Sequence, residues 1–275
     1  MYLHCKGSAA LNFTIAADAE EPKRHIPVDV KRQVRQRCGF GCVFCGSPVF
    51  QYDHLQDFSL VGEHDPSNIN LLCPTHHMSK TAGRLSHDAV AARSKNPVNL
   101  SSERSLTGMP LEIFGSTVAF DVGSNLFIGD ASSSAEGFSA IQIKDRPMIS
   151  ASWRDGWMLL DMTITDDSGT PIIIVEQGEL KASTRVWDFE IVGRRITVRT
   201  GPRKITTSLV IAEGGLRIDR AFLIHGPLAV RIQPDSLNLG RVVTATILGV
   251  PKTFTPGSTF AKGFSSGCRT GVQYG

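Results

Sequence analysis

Two pairs of metal-type ligands constrain this chain more than any other feature: Cys42-x-x-Cys45 and, after 27 intervening residues, Cys73-x-x-His76. A two-residue gap lets one tight turn aim both ligands at a single ion, and Gly46, directly after the first pair, permits that turn. Together the pairs make a closed Cys3His set, the usual form of structural zinc. The competing explanation, buried thiols without a metal, accounts for one such pair more easily than for two. Cys38, separated from Cys42 by three residues, is a rival ligand. Its irregular gap beside Gly39 makes it read as a packing residue.

Around the pairs the pattern predicts helix, knuckle, strand, loop, strand, helix. HIPVDVKRQVRQRCG opens on Pro27, suited to a first helical turn, sets Val30 and Val34 on one face, and stops at Gly39. PVFQYDH is rich in β-formers, EHDPSN is loop chemistry, and NINLL is a second short strand. Pro74 then starts a helix expected to run through HHMSKT to about Ala92.

Residues 105 to 250 read differently. Short β-rich runs such as STVAFDV, WMLLDMTI, RRITVRT and PLAVRIQ recur between turn signals such as DDSG, TGPR and EGG. That spacing predicts a mostly antiparallel sandwich, barrel or sheet stack. The fold class expected is therefore α+β: a small zinc-stapled unit followed by a mostly antiparallel all-β domain. The divisions are an N-terminal arm at 1–25, the stapled domain at 26–95, a linker at 96–110 and a β-rich recognition, sensor or assembly domain at 111–275. The tail from Pro251, rich in Gly, Ser and Thr, reads as loosely ordered.

Composition narrows the setting. A hydrophobic fraction of 41% and a mean hydropathy of −0.04 suit a water-soluble globular chain, and no apolar run of about 18 residues spans a membrane. The N-terminus lacks the basic-then-apolar order of a secretory leader, and three of six cysteines fall in metal spacing, so a reducing cytoplasm is expected. Net charge is only +3, yet Lys23, Arg24, Lys31, Arg32, Arg35 and Arg37 face a single acidic residue, Asp29, within fifteen positions. Such a patch suits a phosphate backbone, or else a solvated helix face. Past residue 100 the chain carries 18 Lys and Arg against 17 Asp and Glu, which is not the profile of a basic nucleic-acid-binding domain. A protein partner, a small ligand or self-association through the β region is at least as well supported there as DNA. Trp153, Trp157 and Trp187 are expected in the core of that region, with a base-stacking platform as the alternative.

A purely structural zinc needs nothing particular between its ligand pairs. Here one strand ends in Asp53-His54, Asn68 precedes the other, and His77 follows ligand His76. A neutral imidazole at His54 can take a proton from water, while Asp53 and His77 can hold a hard divalent ion. With C-x-x-C-G after a basic helix, then D-H, then D-P-x-N-I-x-L-L-C-x-x-H-H-x-x-K-T, the stretch from Arg24 to Ser86 resembles the HNH endonucleases of the ββα-metal (His-Me finger) class in their zinc-stapled form. By that likeness His54, Asn68 and His77 are the three signature residues, with Asn70 the competing choice for the asparagine. The resemblance implies that His54 activates water, that Asp53 and His77 hold Mg2+ or Mn2+, and that Asn68 fixes the loop presenting His54. Zinc would sit on Cys42, Cys45, Cys73 and His76, and Lys31, Arg32, Arg35, Lys80 and Arg84 would meet DNA phosphates. Two departures stand out: His76 replaces a cysteine common in the family, and LQDFSLVGEH replaces a proline and glycine-rich loop after His54. His64 in that loop reads as a turn or supporting residue. The implied activity is phosphodiester hydrolysis, with the β domain recognising, sensing or assembling, as in bacterial or phage defence effectors. The alternative is a stapled module that grips nucleic acid without cutting it.

Overall fold

The computed structural model describes residues 25–132, 135–243, 253–260, 263–266 and 270–274. The arm expected at 1–25 lies, apart from His25, outside the described residues. Pro27 is extended and leads into helix α1 (Val28–Arg37), which ends where Cys38 N–H returns to the Val34 carbonyl and Gly39 turns left-handed at φ +65°. Strand β1 (Gln51–His54) then pairs antiparallel with β2 (Ile69–Leu72), placing Asp53 opposite Asn70 and His54 opposite Ile69. A one-turn helix α2 (Phe58–Val61) and a 3-10 turn over Pro66–Asn68 fill the connection.

Helix α3 (Pro74–Thr81) is shorter than its sequence suggests, and α4 (His87–Ser94) is a separate helix. The break lies at Gly83, whose φ of +70° lets the N–H groups of Arg84 and Leu85 fold back onto the Ser79 carbonyl. Ser86 then caps the new helix by accepting from Ala89 N–H at 3.2 Å. Periodicity carries through the break, which is why a single helix to Ala92 was the natural expectation. A Cβ at Gly83 would meet nothing within 4 Å, so the strain of a substitution is purely conformational. Gly83→Ala should therefore cost about 1–2 kcal/mol of stability in thermal or urea unfolding, and no loss would show that the turn can relax.

The core of this small unit is Val34, Cys38, Cys42, Val43, Ile69, Leu71, Leu72, Cys73 and Val90. Cys38 is fully buried there, and burial pushes its thiol above the ordinary range, as suits a packing residue. The segment read as a linker is a seam. Asn99, in a 3-10 turn over Val98–Ser101, donates to the carbonyls of Gly39 and Gly46 at 3.0 Å each and accepts from Leu106 N–H. One buried amide thus ties the end of α1, the Cys knuckle and the approach to the β region.

That region begins with two short pieces, β3 (Met109–Pro110) and β4 (Ile113–Phe114), and a hairpin of β5 (Thr117–Val122) and β6 (Asn125–Asp130). An antiparallel meander follows through β7 (Phe138–Ile143), β8 (Arg146–Arg154), β9 (Trp157–Thr165), β10 (Pro171–Glu176) and β11 (Glu179–Ala182). A second runs through β12 (Asp188–Val192), β13 (Arg195–Gly201), β14 (Lys204–Ala212), β15 (Gly215–His225), β16 (Leu228–Gln233) and β17 (Ser236–Val243). The long β15 serves two sheets: its first half pairs with β14 and, in parallel, with β5, and its second half pairs with β16 and meets β9 where Phe222 faces Thr165. With β18 (Thr253–Phe260), β19 (Gly263–Ser266) and β20 (Thr270–Tyr274) the pairings close on themselves around an apolar core. The tail expected to be loose thus contributes three strands, on β17, β6 and β7. The fold is α+β with a mostly antiparallel β domain. No helix among the described residues is long and apolar enough to cross a membrane.

Two groups of residues differ from their expected places. Trp153 and Trp157 are 44% and 46% exposed, not core. They flank the β8–β9 turn at the end of the hairpin, where Trp153 faces Met158 across the ladder and Trp157 faces Arg154. Arg35, expected at a phosphate, is 1% exposed. Its guanidinium makes a two-pronged pair with Asp188 on β12 at 2.8 and 2.9 Å, reaches Glu190 at 3.3 Å and donates to the Tyr52 hydroxyl at 2.6 Å. Burial pulls its pKa down, but Asp188 and Tyr52 outweigh burial and hold the group above its ordinary value. Arg199 joins the same carboxylates, and Gln36 donates to the Trp187 carbonyl, so α1 is fastened to the β domain. Removing one member of a buried pair strands the other, so Arg35→Ala is expected to cost about 3–5 kcal/mol in chemical denaturation. A cost under about 1 kcal/mol would mean the pair is solvated.

Candidate functional site

The chain turns back on itself twice to bring the four metal-type ligands together. Cys42 and Cys45 flank a turn closed by Gly46 N–H to the Cys42 carbonyl, and Cys73 and His76 sit at the start of α3. Their ligand atoms all lie within 4.8 Å of one another. Cys45 Sγ is 3.8 Å from Cys73 Sγ, and His76 Nδ1 is 3.1 Å from Cys73 Sγ and 3.5 Å from Cys42 Sγ. A tetrahedral ion with Zn–S bonds of about 2.3 Å separates its sulfurs by about 3.8 Å, so the set can hold a metal such as zinc. Burial, with the Cys42 and Cys73 sulfurs adding to it, pushes the Cys45 thiol up to about 12. Thiolates so close together need a cation between them. The His76 ring is braced by Phe44, stacked at 5.0 Å and 15°.

On the other side of α3 a second group converges. Asp53, buried near the end of β1, points Oδ1 at His77 Nε2, 3.6 Å away. Consecutive helix positions differ by about 100°, which is how His76 faces the cysteines while His77 faces β1. His54 follows Asp53, with its Nε2 3.3 Å from His64 Nδ1. Burial first, then the neighbouring His64, lowers the His54 pKa, so its imidazole is neutral and able to accept a proton near pH 7.

Asn68 grips the chain just past His54. Its side chain accepts from Gln56 N–H at 2.9 Å and donates to the Gln56 carbonyl at 3.0 Å, while its own carbonyl accepts from Leu55 N–H. Asn70 is fully buried and accepts from Arg37 and Ser94, remote from that loop. The geometry therefore separates the two asparagines: Asn68 orders the loop after His54, and Asn70 is a core polar group. Asn70→Ala should cost about 1–3 kcal/mol by leaving its partners unpaired. Asn68→Ala should change stability little while raising hydrogen exchange at Gln56, and the reverse pattern would exchange their roles.

The five residues expected at phosphates do not form one surface. Arg84 is exposed. Lys31 lies over the Tyr52 ring at 5.7 Å, and Arg32 lies over Trp187 at 4.7 Å while pairing with Asp29. Arg35 is buried in the domain junction, and Lys80 turns inward to Asp53. Of the basic residues on α1, Arg32 and Arg35 are thus turned to the β domain, to partners more than 150 positions away, whereas Lys31 meets Tyr52 and Arg37 meets Ser94 and Asn70 within the small unit. His64, read from the sequence as a turn or supporting residue, stands beside His54.

No protein-family model, curated protein or solved structure matches this chain. Its function is therefore argued from the site itself.

Proposed function

We propose that the chain is a metal-dependent DNA endonuclease of the HNH, ββα-metal kind, with a structural zinc on Cys42, Cys45, Cys73 and His76. The observation that carries this reading is the convergence of Asp53 and His77, 3.6 Å apart, beside a neutral His54 whose following loop is clamped by Asn68. His54 accepts the proton of the attacking water. Asn68 holds the backbone after His54 so that the imidazole keeps its direction. Asp53 and His77 would hold Mg2+ or Mn2+, which when bound supplies charge stabilisation at the phosphate and the leaving oxygen. Arg84, exposed beyond α3, would meet a phosphate. The β domain serves recognition, sensing or assembly, as in a bacterial or phage defence effector. Phe114, 75% exposed and edge-on to Trp157 at 5.6 Å, favours a protein partner or a second copy over nucleic acid there.

The alternative is a stapled module that binds nucleic acid without cutting. One observation favours it: Asp53 Oδ2 is already paired with Lys80. Incubation of the zinc-containing chain with supercoiled plasmid separates the two. Nicking that needs Mg2+ or Mn2+ and stops with chelator supports the nuclease, and retarded but intact DNA under all metals supports the binding module.

A further inference from the structure

Lys80 lies one helical turn beyond His77, on the same face of α3. Its Nζ donates to Asp53 Oδ2 and to the His54 carbonyl, both at 2.6 Å. The Lys80 and Asp53 side chains are 9% and 8% exposed, so salt and water screen the pair little. Asp53 therefore offers one oxygen to a resident ammonium and the other to His77. We propose that Lys80 is a built-in competitor for the divalent ion: it neutralises buried Asp53 when no ion is bound and holds the affinity of the Asp53–His77 site down. The inference rests on the metal role given to Asp53 and His77 above.

A cation within about 4–6 Å of a carboxylate lowers the affinity of that carboxylate for a proton by about ten- to a thousandfold. Lys80 applies that penalty to a cation on the same carboxylate. Without Lys80, buried Asp53 loses its counter-charge, and the fold is destabilised until another cation replaces it. A cation that binds only the folded chain then raises stability by mass action. The Lys80-free chain should thus depend on a divalent ion for stability in a way the native chain does not.

The test uses the full, zinc-loaded chain and no DNA. Mn2+ affinity is read by the electron paramagnetic resonance signal of free Mn2+, and thermal unfolding is followed across a MnCl2 titration. Lys80→Met should bind Mn2+ at least about tenfold more tightly than the native chain. Its Tm should start lower and climb steeply with Mn2+. Lys80→Arg should behave like the native chain, and Lys80→Met with Asp53→Asn should lose the Mn2+ response. If Lys80→Met does not fold, Lys80→Gln, which keeps a donor for the His54 carbonyl but no charge, carries the same comparison. Native Mn2+ binding that is equal or tighter than in the uncharged variant overturns the inference while leaving the metal site in place. Absence of Mn2+ binding in every variant overturns both. Tightened binding without DNA cleavage keeps this inference and removes the nuclease reading.

Discussion

His76→Ala is expected to release the zinc and unfold the stapled unit, while His77→Ala keeps one zinc per chain and a near-native Tm. Structural zinc contributes about 10–16 kcal/mol of apparent binding free energy, which becomes folding free energy because the site cannot exist in the unfolded chain. His76 Nδ1 stands within 3.1 and 3.5 Å of two of the three sulfurs, so its loss opens the set. The damage should spread, because Cys42, Val43 and Cys73 are also core residues and Val43 bridges the Leu71 carbonyl and Val98 N–H. His77 has 37% of its side chain exposed and is not one of the core residues, so its removal costs the fold little. Elemental analysis and thermal unfolding read both outcomes. Zinc retained by His76→Ala and lost by His77→Ala would mean that the two histidines exchange roles.

His54→Ala should lower the DNA cleavage rate by about 10²–10⁴-fold with zinc content and Tm unchanged. The partly buried imidazole makes no contact that holds β1 to β2, whose register is carried by the backbone. Cleavage within about threefold of the native rate would show that another group activates water, and His64, 3.3 Å away, is the first to examine.

The Cys3His set and the order of elements around it were legible because they depend on local chemistry. Ligand spacing, a proline before α1 and runs of β-formers act over a few residues, and a reader of sequence sees a few residues at a time. The antiparallel β domain was legible for the same reason, although β6, β8 and β11 carry weaker signals and the tail strands β18 to β20 read as loop composition. What was hidden depends on partners distant in the chain. Arg35 looks like its neighbours Arg32 and Arg37, and only the fold supplies Asp188, 153 residues on, to bury it. Lys80 points inward because β1 lies against α3, which the helix pattern alone does not state. The exposure of Trp153 and Trp157 follows from a turn at Asp155-Gly156 that places both at a hairpin end. Within the site, Asp53, His54, Asn68 and His77 were nameable one by one, whereas His64 and Lys80 became visible only as neighbours.

On the function proposed, Asp53, His54 and His77 form a metal-dependent cutting site distinct from the zinc staple. The most direct measurement is nicking of supercoiled plasmid by the native chain and by His77→Ala, side by side in Mg2+, with zinc quantified in both. Such a site gives equal zinc, Mg2+-dependent nicking by the native chain and nicking at background for His77→Ala. Equal nicking by the two proteins, or none by the zinc-loaded native chain in Mg2+ or Mn2+, would contradict it.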